Sequence, residues 1–378
     1  MLNVIEYTRA LLAFNTTNPP GDEQACGEFV AQTLSGLGFD VRVYGFGENR
    51  LNIVAKYSGA NAGLDPLVLT GHLDTVPLGE AAWTQDPFKG EIVDGKLYGR
   101  GSSDMKSGVA AMIVAAAEMI GGAGQLERGL VLIFTGGEET GCTGAIHLME
   151  EAHAELGTAS AMIVGEPTEN QVCMAHKGAL YLRASAGGVT AHSSTPELGD
   201  NAIYKAARAI SSIENYGFNE RPHPLLGSPS INVGMMSGGM NINSVPDRAE
   251  FTIDIRTNAG KPHVDVLEDL QTYLGDAITL ETLTDMPAVS TARDDPFAKM
   301  VVGICADVLQ GDFKAMDKGL PFFTDASAFH PHFKCPTLIL GPGELSTMHQ
   351  TDEYCLVARI EQAVEIYANI IRVWCKGA

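Results

Sequence analysis

A chain of 378 residues exceeds what one ordinary hydrophobic core serves, so its length predicts two domains. Hydrophobic residues at 45% and charged residues at 19% give a globular balance that excludes a disordered or fibrous chain. The 46 acidic against 25 basic residues leave a formal net charge of −21, a field that repels nucleic acid and anionic membrane surfaces and argues against both as partners.

The opening MLNVIEYTRALLAF lacks the parts of a signal peptide and reads as an amphipathic first helix. Residues 22–37 follow as a second helix, with Phe29, Val30, Leu34 and Leu37 at helical spacing. Short apolar runs at Leu51–Ala55 and Leu67–Thr70 precede a small-residue helix from Ser107 to Ile120, and further runs lie at Leu130–Thr135 and Ala161–Val164. Buried runs alternating with helices predict an α/β fold, a mixed sheet covered by helices. Such sheets place their sites at the carboxyl ends of strands. Here those ends read Gly71-His72-Leu73-Asp74, Gly136-Gly137-Glu138-Glu139 and Gly165-Glu166-Pro167.

The rhythm changes after His176. A strand at Ala179–Ala186, a helix at Asp200–Ile213, strands at Ser230–Met236 and Glu250–Arg256, a helix at His263–Leu274 and a strand at Ile278–Leu283 follow in turn. This β-α-β-β-α-β order predicts an inserted ferredoxin-like α+β unit over 176–289. The main domain then comprises 1–175 and 290–378, resuming with a helix from Pro296, an apolar run at Thr337–Leu340 and a helix from about Leu356. No run of about 18 apolar residues spans a membrane. The seven cysteines are scattered without a CxxC pair, which reads as reduced thiols in the cytoplasm.

His72 and Asp74 lie two apart, so in extended backbone their side chains share one side, and a carboxylate beside an imidazole can orient it. In Gly99-Arg100-Gly101-Ser102-Ser103-Asp104, the aspartate fits either a helix N-cap or a carboxylate bridging two cations. Glu138 and Glu139 repel each other at a strand end unless a positive charge is near. Metal chemistry divides the work of such a pair, one ligating and one taking a proton from water. Glu166 and His349 add further N/O donors. This set suits zinc, cobalt or manganese, and without cysteine it differs from a structural zinc site.

Taken in order, GHLDTVP, GRGSSDMK, GGEETG, VGEPT, AHSS, the segment around Arg256 and GPG…MHQTDEY resemble the metallo-aminoacylase and exopeptidase family. That family includes acetylornithine deacetylase, succinyl-diaminopimelate desuccinylase, aminoacylases and carboxypeptidase G. The resemblance spans the chain and implies a hydrolase of amide bonds in small N-acyl amino acids or peptides, with two divalent metal ions. It implies that Asp104 bridges the ions, that His72 and Glu166 hold one and Glu139 and His349 the other. Glu138 becomes the general base and Asp74 the support of His72. His192 is implied as an oxyanion donor reaching across a homodimer formed by the inserted lid, and Asn243 and Arg256 as substrate ligands, Arg256 for the carboxylate. Read without the resemblance, Arg256 fits a surface strand residue equally, and the His192 loop fits a plain turn. The Ala175-His176-Lys177-Gly178, HSS and GPG segments look most like the acetylornithine-deacetylase branch, and hence arginine biosynthesis. The desuccinylase, a metallo-dipeptidase or carboxypeptidase, and a non-catalytic binding relative are the competing readings. The intact Glu138 argues against the last.

Overall fold

The computed structural model describes residues 2–122, 126–314 and 316–376. Met1, at the start of the predicted first helix, lies outside them; that helix runs Val4–Leu12, and Asn3 caps it by accepting the Glu6 N–H. The chain divides into two compact units, one of residues 1–174, 291–317 and 324–378, the other of 175–290 and 318–323.

The first unit is built on a six-stranded mixed sheet in the order Asp40–Gly47, Arg50–Tyr57, Leu130–Thr135, Leu67–His72, Ala161–Val164, Thr337–Ile339. The first three pair antiparallel, and the last four run parallel. Leu67–His72 and Leu130–Thr135 are buried along their whole length, as a parallel sheet covered on both faces requires. The helix Ser107–Gly121 packs against the C-terminal helix Val357–Cys375, and its small residues let it come close to the sheet. A Cβ on its Gly108 would stand 2.5 Å from the Gly165 carbonyl oxygen. Pro296–Leu309 is started by Asp295, which accepts the N–H groups of Phe297 and Ala298, with proline in the first turn where no donor is needed. No helix among the described residues is long and apolar enough to cross a membrane.

The second unit carries a separate antiparallel sheet in the order Ser230–Gly238, Arg248–Thr257, Gly178–Gly187, Ile278–Met286. Arg248–Thr257 alternates strictly between buried and open positions. Ala249, Phe251, Ile253 and Ile255 meet Leu180, Leu182 and Ala184 with the helices Ala202–Ile213 and His263–Leu274 on one face, and the polar residues occupy the other. Strand order and helix positions are those of a ferredoxin-like unit, as the sequence pattern predicts.

Several features depart from the sequence reading, which named neither the helix Thr143–Leu156 nor Ala326–Phe333 and placed Ala175 and Ser290 in the main domain rather than the second unit. Asp40–Gly47 is a strand where none was expected. Ile92–Val93, Lys96–Tyr98 and Tyr354–Leu356 form a small third sheet. Residues 318–323, expected with the main domain, cluster with the second unit, because Leu320 donates its N–H to Ala175 O and Lys177 donates its own to Leu320 O, both at 2.9 Å.

Candidate metal centre

Three parallel strands of the first unit end side by side, and the chain turns at each end with a charged residue in hand. His72 is the last residue of its strand. Glu138 and Glu139 follow Thr135 through Gly136 and Gly137, the latter at φ 75°, a left-handed turn that glycine adopts without strain. Glu166 follows Val164 by one glycine. The loop before the helix Ser107–Gly121 brings Asp104, with a cis peptide to Met105, and the loop before Tyr354 brings His349.

Asp104 stands at the centre. Its Oδ1 lies 3.1 Å from His72 Nε2 and its Oδ2 lies 3.3 Å from His349 Nε2. Each oxygen therefore faces a different imidazole. His349 Nε2 is also 3.1 Å from Glu139 Oε2, and His72 Nε2 is 3.8 Å from Glu166 Oε1. Ligand atoms of His72, Glu138 and Glu166 lie within 4.8 Å of one another, as do those of His72, Asp104 and Glu139. The structure thus gathers Glu138 and all five predicted ligands. His72, Asp104 and Glu166 are buried, whereas the His349 side chain is about half exposed, at 51%.

The electrostatics of this cluster call for a cation. Burial, then the charge of Glu166, holds Glu138 well above the ordinary carboxylate range. Burial also raises Glu166 strongly and, with Asp104 beside it, Glu139. Hydrogen bonds to Asp104 and Glu139 raise His349 to about 10. For His72, burial works downward, but Asp104, Glu166 and Glu138 outweigh it and leave the ring well above its usual value. Glu139 Oε1 is buried with no hydrogen-bond partner. An orphaned carboxylate oxygen amid hard N/O donors fits divalent metal ions, and the predicted zinc, cobalt or manganese suits the set.

Asp74 flanks His72 as its spacing suggests, and the closest approach to the ring is made by its backbone carbonyl, 2.9 Å from Nδ1, while the carboxylate Oδ1 is 3.6 Å away. The carboxylate accepts the N–H of Glu138 at 3.1 Å and of Glu139 at 3.2 Å.

Other residues at the centre were not singled out by the sequence. Glu353, fully buried, accepts the N–H groups of Gly101, Ser103 and Asp104 at 3.0, 2.8 and 3.0 Å and pairs with Arg100 at 2.6 Å. It fixes the loop that presents Asp104. Asp325 lies buried with one oxygen taking the Thr135 hydroxyl, and burial pushes its carboxyl up to about 6 against that bond. Cys142 Sγ stands 3.8 Å from Glu138 Oε1. Gly341 and Gly343 have a steric reason. A Cβ on Gly341 would stand 2.2 Å from Gly165 O and 2.6 Å from Glu166 O, and one on Gly343 2.2 Å from Ser103 O.

The remaining predicted residues lie in the second unit. His192 and Asn243 are exposed on neighbouring loops joined by the Ser193 N–H donating to Asn243 O at 3.1 Å. Ser194 donates its N–H to His192 Nδ1 at 3.2 Å, which in the neutral ring leaves the proton on Nε2. Arg256 grips Asp254, two residues back on the same strand face, with Nε 2.9 Å from Oδ1 and Nη2 3.2 Å from Oδ2. It lies 5.2 Å from the centroid of the Tyr181 ring.

A profile of Peptidase family M20/M25/M40 matches residues 68–373. Acetylornithine deacetylase of Vibrio cholerae is 30% identical over 368 residues, covering 94% of this chain and 92% of that protein. A probable succinyl-diaminopimelate desuccinylase of Staphylococcus epidermidis is 29% identical over 381 residues, covering 92% of each. Among solved structures, an M20 family metallo-carboxypeptidase from Sulfolobus solfataricus superposes with a TM-score of 0.80 at 18% identity, covering 99% of both chains.

Two outcomes follow from this geometry. Gly341→Ala should push the Gly165-Glu166 backbone aside and weaken divalent-metal affinity by at least about tenfold, the scale of lost ligand support. Calorimetric titration with zinc would measure it, and unchanged affinity would show that the close approach does not govern Glu166. Because His349, raised to about 10, holds a second proton in the metal-free centre, metal uptake at pH 7 should release protons. Titrations in buffers of different ionisation enthalpy read that number directly; a value of zero contradicts the electrostatics described above.

Proposed function

We propose that this chain, which belongs to peptidase family M20/M25/M40, removes the acyl group from a small N-acyl amino acid, with N-acetylornithine-type substrates first. The chain is a metallohydrolase of the deacylase and peptidase type; the choice of substrate is the proposal. One observation carries the reading. The two oxygens of Asp104 face two separate imidazoles beside adjacent glutamates. Such a set fits two ions and still leaves one carboxylate, Glu138, for proton transfer. The similarity to acetylornithine deacetylases near 30% identity supports the substrate class, and that to the desuccinylase at 29% supports the runner-up.

In this reading, His72, Asp104, Glu139, Glu166 and His349 would hold two ions, with Asp104 between the pair His72 and Glu166 and the pair Glu139 and His349. The ions, when bound, supply Lewis acidity toward the acyl oxygen and the attacking water. Glu138 takes the proton of that water and passes it to the leaving amine. Asp74 holds the backbone of the Glu138-Glu139 turn. His192, with its proton on Nε2, donates to the developing oxyanion. Asn243 holds the substrate, and Arg256 exchanges part of its pairing with Asp254 for the substrate carboxylate, which its planar fork suits.

We place His192 in the site of a second copy, in a homodimer formed through residues 176–289. Ser230–Gly238 is an edge strand with Met235 and Met236 exposed, and an open edge invites pairing. A monomer using its own His192 is the alternative.

Full chelation should abolish amide hydrolysis, and zinc, cobalt or manganese should restore it. Glu138→Gln should keep its metal and lose at least about 10²-fold in kcat. Glu139→Gln should lose metal. Substrates for the assay are N-acetylornithine, N-succinyl-diaminopimelate, other N-acyl amino acids and dipeptides, and the highest kcat/KM names the class. Equal metal loss in both variants would overturn the division of roles.

For the assembly, His192→Ala and Glu138→Gln should each be nearly inactive alone. Mixed and exchanged, they should recover part of the activity, since one site per heterodimer regains both residues. No recovery after verified subunit exchange would mean that His192 does not act in trans.

A further inference from the structure

The loops that carry Asp74 and the paired glutamates are tied together by a residue that belongs to neither. Asn18, in Thr16-Thr17-Asn18-Pro19-Pro20-Gly21, is only 2% exposed. Its backbone is fastened to the chain just past His72. Asn18 donates its N–H to Thr75 O at 2.8 Å, Thr75 donates to Thr16 O at 3.1 Å, and the Thr16 hydroxyl donates to Leu73 O at 2.7 Å. The side chain then bridges outward. Nδ2 donates to Asp74 Oδ2 at 2.8 Å and to Thr140 Oγ1 at 2.9 Å. A carboxylate only accepts, so the amide must present its nitrogen here, and its two hydrogens serve these two acceptors. Asp74, fully buried, passes the constraint on by accepting the N–H groups of Glu138 and Glu139 on its two oxygens.

We infer that Asn18 is a positioning residue for Glu138, acting through Asp74. The inference rests on the reading of Glu138 as the base. Adjacent residues point their side chains in different directions, so a small rotation of the 138–139 turn re-aims base and ligand together. Asp74 sets that rotation, and Asn18 sets Asp74. Without the carboxamide, Asp74 keeps its bonds to the turn, but its Oδ1 is also 3.6 Å from His72 Nδ1, an alternative partner toward which the carboxylate is free to turn. A displacement near 1 Å at such a point costs about 10²-fold in rate. Asn18 hydrogen-bonds to none of the five ligand side chains, and only Glu139 among them sits on the turn that Asp74 sets, so the other four keep the metal bound when Asn18 is lost. The link to Thr140, in the same loop as Glu139, makes the tie double.

The test is a double-mutant cycle on the metal-loaded enzyme. Asn18→Ala should lower kcat by about 10- to 100-fold with KM within about threefold, and with metal content and Tm near those of wild type. In the Glu138→Gln background the same substitution should change kcat by less than about threefold, because the residue it positions no longer acts. A purely structural role would lower both backgrounds alike. If Asn18→Ala does not fold, Asn18→Leu removes the donor while filling its space, and the same cycle is read. An unchanged kcat, an equal loss in both backgrounds, or a loss reversed by excess metal would overturn the inference. A wild-type chain that hydrolyses nothing among the assayed substrates would instead overturn the functional reading, and this inference with it.

Discussion

Four carboxylates cannot share one buried site as free anions, and the first unit is organised around that fact. Glu138, Glu139, Glu166 and Asp104 are brought from separate loops into contact with two imidazoles, in surroundings that exclude much of the water that would screen them. In the metal-free chain, protons and imidazolium charge relieve the repulsion. Divalent ions relieve it better, since each places a full double charge among the oxygens. The centre is therefore a place where folding leaves unfavourable electrostatics to be resolved by a ligand.

Holding such a cluster requires loops that do not yield, and the chain secures them with further acids. Glu353 accepts three N–H groups of the Asp104 loop and pairs with buried Arg100; Asp74 accepts two more from the glutamate turn. Backbone donors that would otherwise be unsatisfied in buried turns are used to grip the very segments that present ligands. Close glycine contacts complete the arrangement. Gly108, Gly341 and Gly343 let neighbouring backbone pass where any side chain would displace it.

Much of this was legible in the sequence. The buried strands at Leu67, Leu130 and Ala161 announce themselves as short apolar runs, and His72, Glu138, Glu139 and Glu166 stand where those runs end. The alternation of Arg248–Thr257 gives the second sheet equally clearly. Asp40–Gly47 was missed because it is an edge strand with scarcely any buried position, so it leaves little hydrophobic trace. The short sheet of Lys96–Tyr98 depends on pairing with Tyr354–Leu356, far along the chain. Glu353 and Asn18 escaped notice for the same reason: their tasks are defined by donors and acceptors hundreds or scores of residues away. The spacing of Asp74 from His72 puts the carboxylate beside the ring, 3.6 Å from Nδ1, but the closer contact of the backbone carbonyl at 2.9 Å depends on the turn at the strand end.

The second unit enters and leaves through two strands that pair with each other, Ala175 opposite Ser290 and His176 opposite Val289, and just outside them Thr291 donates its N–H to Met174 O at 2.8 Å. Paired residues of antiparallel strands lie only about 5 Å apart. The interruption therefore leaves no gap in the surrounding chain: joining 174 to 291 directly would need a linker of a few residues. The segment 318–323 qualifies that independence. It would lose its backbone partners Ala175 and Lys177 on excision, so the two units, separable along most of their length, have come to share one short strip of chain.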